Sequence, residues 1–223
     1  FWSLDLRQAI CASDCLTPAN WKTDFVDLDT REGWSTSLRV EESGRVHVAY
    51  RPYGEGTDLP LDVSEGLRYA TCAEFGGGIC GEGDLMGWPT RSVDPVGGRY
   101  ASLAIDGSGG AHIGHYSRDG GLRYSACEAA CLTADAWQSV TVSPAAPLNS
   151  FTSLVLDGNG RRHIVFEDDD QDLAYATCAS DCTAASSWRT RKVHDAGDWV
   201  TLAVDENGRV HTLVVDGALT YLH

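Results

Sequence analysis

Lysine is almost absent from this sequence: Lys22 and Lys192 are the only two among 17 basic residues, which face 32 acidic ones. The formal charge of -15 argues against nucleic acid or an anionic membrane surface as partner, since both are held chiefly by Lys and Arg. No apolar run approaches the roughly 18 residues of a membrane span. Also missing are the G-x-S-x-G elbow of serine hydrolases and any phosphate-loop or dinucleotide fingerprint in a strand–turn–helix setting. Disorder is not the explanation for the acidity, because 43% of the 223 residues are apolar, an ordinary globular share. That length suits one large all-β domain or two small ones. The chain opens at Phe1 with no charged-then-apolar leader, so it reads as a processed product or as part of something longer.

What is present is a repeat. SLRVEESGRVH (37–47), SLAIDGSGGAH (102–112), SLVLDGNGRRH (153–163) and TLAVDENGRVH (201–211) superpose without a gap. A second block follows each: LRYATC (67–72), LRYSAC (122–127), LAYATC (173–178) and a truncated LTYLH (219–223). A third opens on Trp: WPTRSVD (88–94), WQSVTVS (137–143) and WRTRKVH (188–194). The N-terminus holds another copy of the last two blocks, LRQAICASDC (6–15) and WKTDFVD (21–27). The period is 51 residues from His112 to His163 and 48 from His163 to His211. Each period contains four short β-branched and apolar segments separated by turn residues, here strands a to d of one antiparallel unit.

Four-stranded units at this spacing predict an all-β β-propeller. A single domain spanning 1–223 is expected, with blades at 34–94, 99–143 and 150–194 and a partial blade at 198–223. Residues 1–33 would supply c and d strands that close the ring. Lending 21–27 to the last blade gives four blades; the surplus c-like segment at 6–11 leaves five, or a piece of a longer propeller, open.

The repeat resembles secreted bacterial β-propeller repeats of the type SLALD-x-x-G-x-x-H … L-x-Y-A, over nearly the whole chain. Glu41 in place of Asp in the first repeat and Gln8 in place of the strand-c Tyr depart from the pattern. The resemblance implies the propeller fold. It leaves activity open, because such repeats occur in carbohydrate binders, hydrolases and adhesins alike.

The eight cysteines fall as local pairs between strands c and d: Cys11–Cys15, Cys72–Cys80, Cys127–Cys131 and Cys178–Cys182. Zinc needs four ligands converging on one ion, which pairs in separate blades cannot provide. Disulfides are expected instead, and with them an oxidising location: secreted, periplasmic or cell-surface.

His47, His112, His163 and His211 recur once per repeat. If they met on the axis they would bind iron, copper or zinc. Glu41, Asp106, Asp157 and Asp205 each precede one of them by six residues across a Gly-containing hairpin, so a repeated carboxylate–imidazole hydrogen bond is the favoured reading. The acidic run at 167–172 could offer oxygens to Ca2+ but lacks EF-hand spacing. No cofactor is expected. The recurrent Ser37, Ser102, Ser153 and Thr201 read as scaffold. His115, His194 and His223 have no equivalents and suggest no role.

Ligands of propellers usually sit at the channel mouth formed by the d–a and b–c connections. Strand a is entered there through Trp34, Tyr100, Phe151 and Trp199, with Trp34 displaced by one position. Arg99, Asp198 and the 167–172 run flank these rings, and the first b–c connection adds Tyr53, Glu55 and Asp58. Aromatic faces with a polar rim suit sugars. The strand-d Trp21, Trp88, Trp137 and Trp188 and the strand-c Tyr69, Tyr124, Tyr175 and Tyr221 read as blade packing. A glycosidase would need two carboxylates drawn from Glu55, Asp58, Asp94, Asp168 and Asp198 at a set distance. The favoured function is an extracellular, lectin-like binding module for a glycan, without chemistry. The alternatives are a metal site on the four histidines and an interaction domain that contacts further domains of a longer chain.

Overall fold

A computed structural model describes residues 5–28, 33–52, 66–72, 87–117, 120–144, 151–195, 198–216 and 218–222. Every sheet is antiparallel and ordered as in the chain. The first is β3 (Gly33–Val40), β4 (Val46–Pro52), β5 (Leu67–Cys72) and β6 (Thr90–Asp94). The second is β7 (Gly97–Ile105), β8 (Ala111–Ser117), β9 (Leu122–Cys127) and β10 (Gln138–Ser143). The third is β11 (Thr152–Leu156), β12 (Arg162–Glu167), β13 (Leu173–Cys178) and β14 (Arg189–His194). The fourth has β15 (Asp198–Val204), β16 (Val210–Asp216) and β17 (Ala218–Leu222). β1 (Leu6–Cys11) and β2 (Trp21–Asp27), introduced ahead of them in the chain, make a separate pair. The four strands expected per repeat are therefore present as antiparallel sheets.

Local chemistry explains the hairpins. In the second repeat the Asp106 carboxylate accepts from the N–H groups of Ser108 and Gly110, bending the chain back on itself. Gly109 sits there at φ +85°, a left-handed conformation that costs glycine least. Asp157 and Asp205 build the same turn.

Each sheet buries its faces against the sheets before and after it. β3 packs on β7, β7 on β11 and β11 on β15. One buried cluster joins Ala49, Leu67 and Tyr69 of the first sheet to Leu103 and Ile113 of the second. Another joins Tyr116, Leu122 and Tyr124 of the second to Leu154, Ile164 and Phe166 of the third. The recurrent serine crosses each seam at its inner end. Ser37 Oγ accepts from Leu103 N at 3.0 Å, Ser102 Oγ from Leu154 N at 2.9 Å and Ser153 Oγ from Leu202 N at 3.1 Å. Further out, Trp137 tilts against Tyr69 at 5.1 Å and Trp188 against Tyr124 at 5.0 Å between ring centroids. Their indole N–H groups donate to the carbonyls of Cys131 and Cys182, so each tryptophan is oriented by its own disulfide loop.

Disulfides Cys11–Cys15, Cys127–Cys131 and Cys178–Cys182 close the c–d connections. In the chain-entropy view each loop of this size contributes about 2 kcal/mol. The expected pair Cys72–Cys80 lies partly outside the described residues.

The N-terminal pair departs from expectation. β2 is not the fourth strand of the last sheet; it pairs with β1. The reason is physical: β1 already satisfies the inner edge of β2, and Cys11–Cys15 ties the two strands together. The far end of β2 is also held by the first sheet. Val26 joins Val46, Val48, Tyr50 and Trp88 in a buried cluster. Asp27 accepts from the Tyr50 hydroxyl and, at 2.9 Å, from Arg68 Nη1. The same clasp recurs one seam later, where Arg123 Nε meets the buried Asp94 carboxylate at 2.6 Å.

Removing one serine link tests this arrangement. Ser102→Ala leaves the buried Leu154 N–H without an acceptor and is expected to cost about 1–3 kcal/mol in urea unfolding. Ser43→Ala, on an exposed turn, is expected to cost far less. Equal midpoints for the two variants would show that the seam does not depend on the serine.

Candidate functional site

Two constellations come from the repeat, and both start from strand entry or exit. The first is a carboxylate–histidine–tyrosine triad in each of the four sheets of the repeat, its histidine buried in the first three. His47 Nδ1 lies 2.5 Å from the Tyr69 hydroxyl and Nε2 lies 2.7 Å from Glu41 Oε1. His112 bridges Tyr124 at 2.6 Å and Asp106 at 3.0 Å, and His163 bridges Tyr175 at 2.6 Å and Asp157 at 3.4 Å. His211 bridges Tyr221 at 2.5 Å and Asp205 at 3.5 Å. Burial lowers the pKa of His47, His112 and His163, against the opposing pull of the neighbouring carboxylates. A neutral imidazole then donates from Nε2 to the carboxylate and accepts the tyrosine proton at Nδ1. Asp106 is held down at about 2; burial opposes this, but hydrogen bonds from Ser108, His112 and the backbone of Gly110 outweigh it.

The structure does not bring the four imidazoles together. Each stays in its own sheet with both ring nitrogens engaged. Among the described residues, the one set of three or more His, Cys or acidic side chains close enough to share an ion is Asp168, Asp170 and Asp172. Asp168 also caps its own turn through the N–H groups of Asp170 and Asp172, and Lys192 Nζ lies 2.5 Å from Asp172.

The second constellation is aromatic. Tyr100, Phe151 and Trp199 open β7, β11 and β15, and the stacking of those strands brings the three rings into one row. Tyr100 and Phe151 lie 4.7 Å apart at 56°, and Phe151 and Trp199 4.2 Å apart at 24°. Tyr100 and Phe151 are partly buried, whereas Trp199 is 62% exposed. Phe151 covers one face of the indole and leaves the rest to solvent. Tyr100 and Trp199 hold φ of 50° and 47°, left-handed values that bulky residues avoid at some cost. A register shift accompanies each, between Arg99 and Ser102 and between Asp198 and Thr201. Bulges of this kind redirect a side chain at a sheet rim.

In the first repeat the left-handed residue is Ser35 at φ 53°, not Trp34. Trp34 and Asp198 lie in β3 and β15, but their side chains fall outside the described residues, as do Tyr53, Glu55, Asp58 and His223. Arg99 is partly buried in β7, opposite Tyr116. Asp94 is buried beside Arg123 and so is no rim carboxylate.

Two features were not anticipated from the sequence. The strand-c tyrosines, which read from the sequence as blade packing alone, are the partners of the histidines, and Tyr and His recur together in every repeat. His115 is fully buried, accepting from Gly98 N–H at 3.2 Å and contacting Ser125 Oγ at 2.8 Å, with Asp94 3.8 Å away. It replaces Tyr50 of the first repeat, and nothing periodic pointed to it. Burial, only partly offset by Asp94, lowers its pKa to about 4. Buried in this way, Ser125, His115 and Asp94 form a packing network rather than a hydrolytic site.

No family model matches the chain, and no curated protein does. Solved structures do. A protein of unknown function from Dyadobacter fermentans matches at a TM-score of 0.58 and 10% identity, over 87% of this chain and 60% of that one. The NanB sialidase of Streptococcus pneumoniae matches at 0.51 and 11%, over 87% and 30%. An ulvan lyase, from a polysaccharide lyase family, matches at 0.51 and 10%, over 86% and 52%. The fold is a β-propeller. This chain spans less than two thirds of each of these three structures. Its disulfides are consistent with an extracellular location, and no described helix is long and apolar enough to cross a membrane.

The triads make stability of the propeller depend on pH. For His47, His112 and His163 the folded-state pKa lies below the ordinary value near 6.5, so the unfolded chain binds more protons below that pH. Their contribution is complete above about 6.5 and is lost as the pH falls toward the lowered folded values. The melting temperature is expected to drop between pH 7 and 5, before the carboxylates titrate. A flat profile over that interval would show that the imidazoles are not held neutral.

Proposed function

We propose that this propeller is a non-catalytic carbohydrate-binding module whose channel mouth takes an extended glycan on the Tyr100–Phe151–Trp199 row. The observation that carries this reading is a three-ring row ending in a solvent-facing indole. Sugar rings present C–H faces that stack on aromatics, and their hydroxyls seek directed polar partners. Arg99 and Asp198, each one residue before a ring of the row, and Trp34 at the corresponding entrance would supply the remaining contacts. The company the fold keeps is in accord, since two of the matched structures are a sialidase and a polysaccharide lyase. Binding would take place outside the cell, in the setting that the disulfides suit.

An array of oligosaccharides probed with the unmodified protein and with Trp199→Ala tests the proposal. Binding to the preferred oligosaccharide is expected to fall about tenfold or more, with almost no change in melting temperature because the indole is exposed. Phe151→Ala should weaken both binding and stability, since its ring also packs on the seam cluster of the third and fourth sheets. An array signal indifferent to Trp199 would move the binding site elsewhere.

A further inference from the structure

The two complete seams of this propeller use the same positions differently. Between the first and second sheets, the Arg91 guanidinium donates twice to the Leu132 carbonyl, at 2.9 and 2.8 Å, and ties the sheets together. Between the second and third sheets the residue at that position is Val140, which has nothing to donate, and Thr183 stands in place of Leu132. A cavity of about 530 Å3 lies in this seam, within the size range of small-ligand sites.

Two charged residues that break the repeat line this cavity. Arg162 occupies a position held by Val46, Ala111 and Val210 in the other repeats. Glu128 occupies one held by Ala12 and Ala179. A scaffold position repeats; a departure by charge at two positions that converge on one cavity asks for another cause. Arg162 is fixed by donating Nε to the Tyr124 hydroxyl at 3.2 Å and Nη1 to the Gly160 carbonyl at 2.7 Å. It makes no ion pair with Glu128 or with Asp181, which also lines the cavity. Further N–H groups of the guanidinium remain to donate, and the carboxylates remain to accept. Ala126, Ala129 and Ala136 offer a small apolar wall.

We infer that this seam is a second binding site, for a single neutral sugar residue. Adjacent hydroxyls of such a ring can accept from Arg162 and donate to Glu128 at once, while its C–H edge meets the alanines. An acidic sugar would meet two carboxylates against one guanidinium and be disfavoured. The site uses no residue of the aromatic row and does not depend on the mouth being occupied.

The test titrates the methyl glycosides of galactose, mannose, glucose and fucose, with that of N-acetylneuraminic acid as the acidic counterpart, followed by ligand-observed NMR. At least one neutral glycoside is expected to bind. Arg162→Ala and Glu128→Ala install residues that the other repeats already carry, so both variants should fold. Each should weaken that binding about tenfold or more. Val140→Arg, which recreates the Arg91 clasp, should close the seam and do the same. Trp199→Ala should leave it unchanged. Binding that survives Trp199→Ala but fails in the seam variants would uphold this site even if the array experiment refuted the mouth. The inference is overturned if no neutral glycoside binds, if the acidic one binds better, if the seam variants bind normally, or if Trp199→Ala alone abolishes binding.

Discussion

The serine hydroxyl that accepts a leucine N–H from the next innermost strand is the contact on which the stacking of sheets depends. No sheet of this chain could stand by itself, because each presents apolar side chains on both faces. Leu103 and Ile113 need Leu67 and Tyr69, and Leu154 and Ile164 need Tyr116 and Tyr124. At the crowded inner end, the innermost strand of each sheet is paired on one side only and leaves a backbone N–H that its own sheet does not satisfy. Ser37, Ser102 and Ser153 satisfy it from across the seam. The same innermost strands carry the register shifts beside Tyr100 and Trp199, so the seam and the aromatic row share their strands. Holding each of these residues at positive φ costs on the order of 1–3 kcal/mol, which the packed seam must offset.

Much of this was legible in the residues. The Gly–x–x–His spacing marks a hairpin whose acid and imidazole share a face, and the structure has that hydrogen bond in the first three repeats, with the corresponding pair 3.5 Å apart in the fourth. Cysteines four residues apart in the c–d connection, as at Cys11–Cys15, Cys127–Cys131 and Cys178–Cys182, could hardly pair any other way. Side-chain direction was less accessible. Trp199 and Phe151 occupy equivalent positions, yet one faces water and the other a core. The left-handed backbone does not decide it, since Tyr100 shares that conformation and is partly buried. The partner of β2 was equally hidden, since β1 and β17 carry the same c-strand pattern and rival each other for the role. The short covalent loop at Cys11–Cys15 decides it by proximity.

In a repeat protein, what recurs and what departs separate scaffold from specificity. The imidazoles recur and engage both nitrogens within their own sheets; in the first three repeats they are held toward the neutral form and satisfy the tyrosine hydroxyls beside them. His115 shows that a departure need not be functional. It stands where the first repeat has Tyr50, and both side chains lie over the same kind of aspartate–arginine clasp, Asp27 with Arg68 or Asp94 with Arg123. The useful distinction is exposure to a ligand. His115 departs inside a filled space, whereas Arg162 and Glu128 depart on the walls of an open one.

The acidity of the chain then takes on a specific meaning. A net charge of -15 repels anionic polymers over a distance of about 8–10 Å at physiological salt, and it does so before any pocket is reached. If the propeller binds glycans as proposed, this field would favour neutral chains over sialylated or uronate-rich ones. Lys22 and Lys192 do little to soften that field, because Lys192 is engaged by Asp172 and Asp195. Positive charge where a ligand would need it comes from arginines instead. A guanidinium keeps its proton whatever its surroundings and spreads its donors in a plane, a geometry that suits a pair of neighbouring hydroxyls.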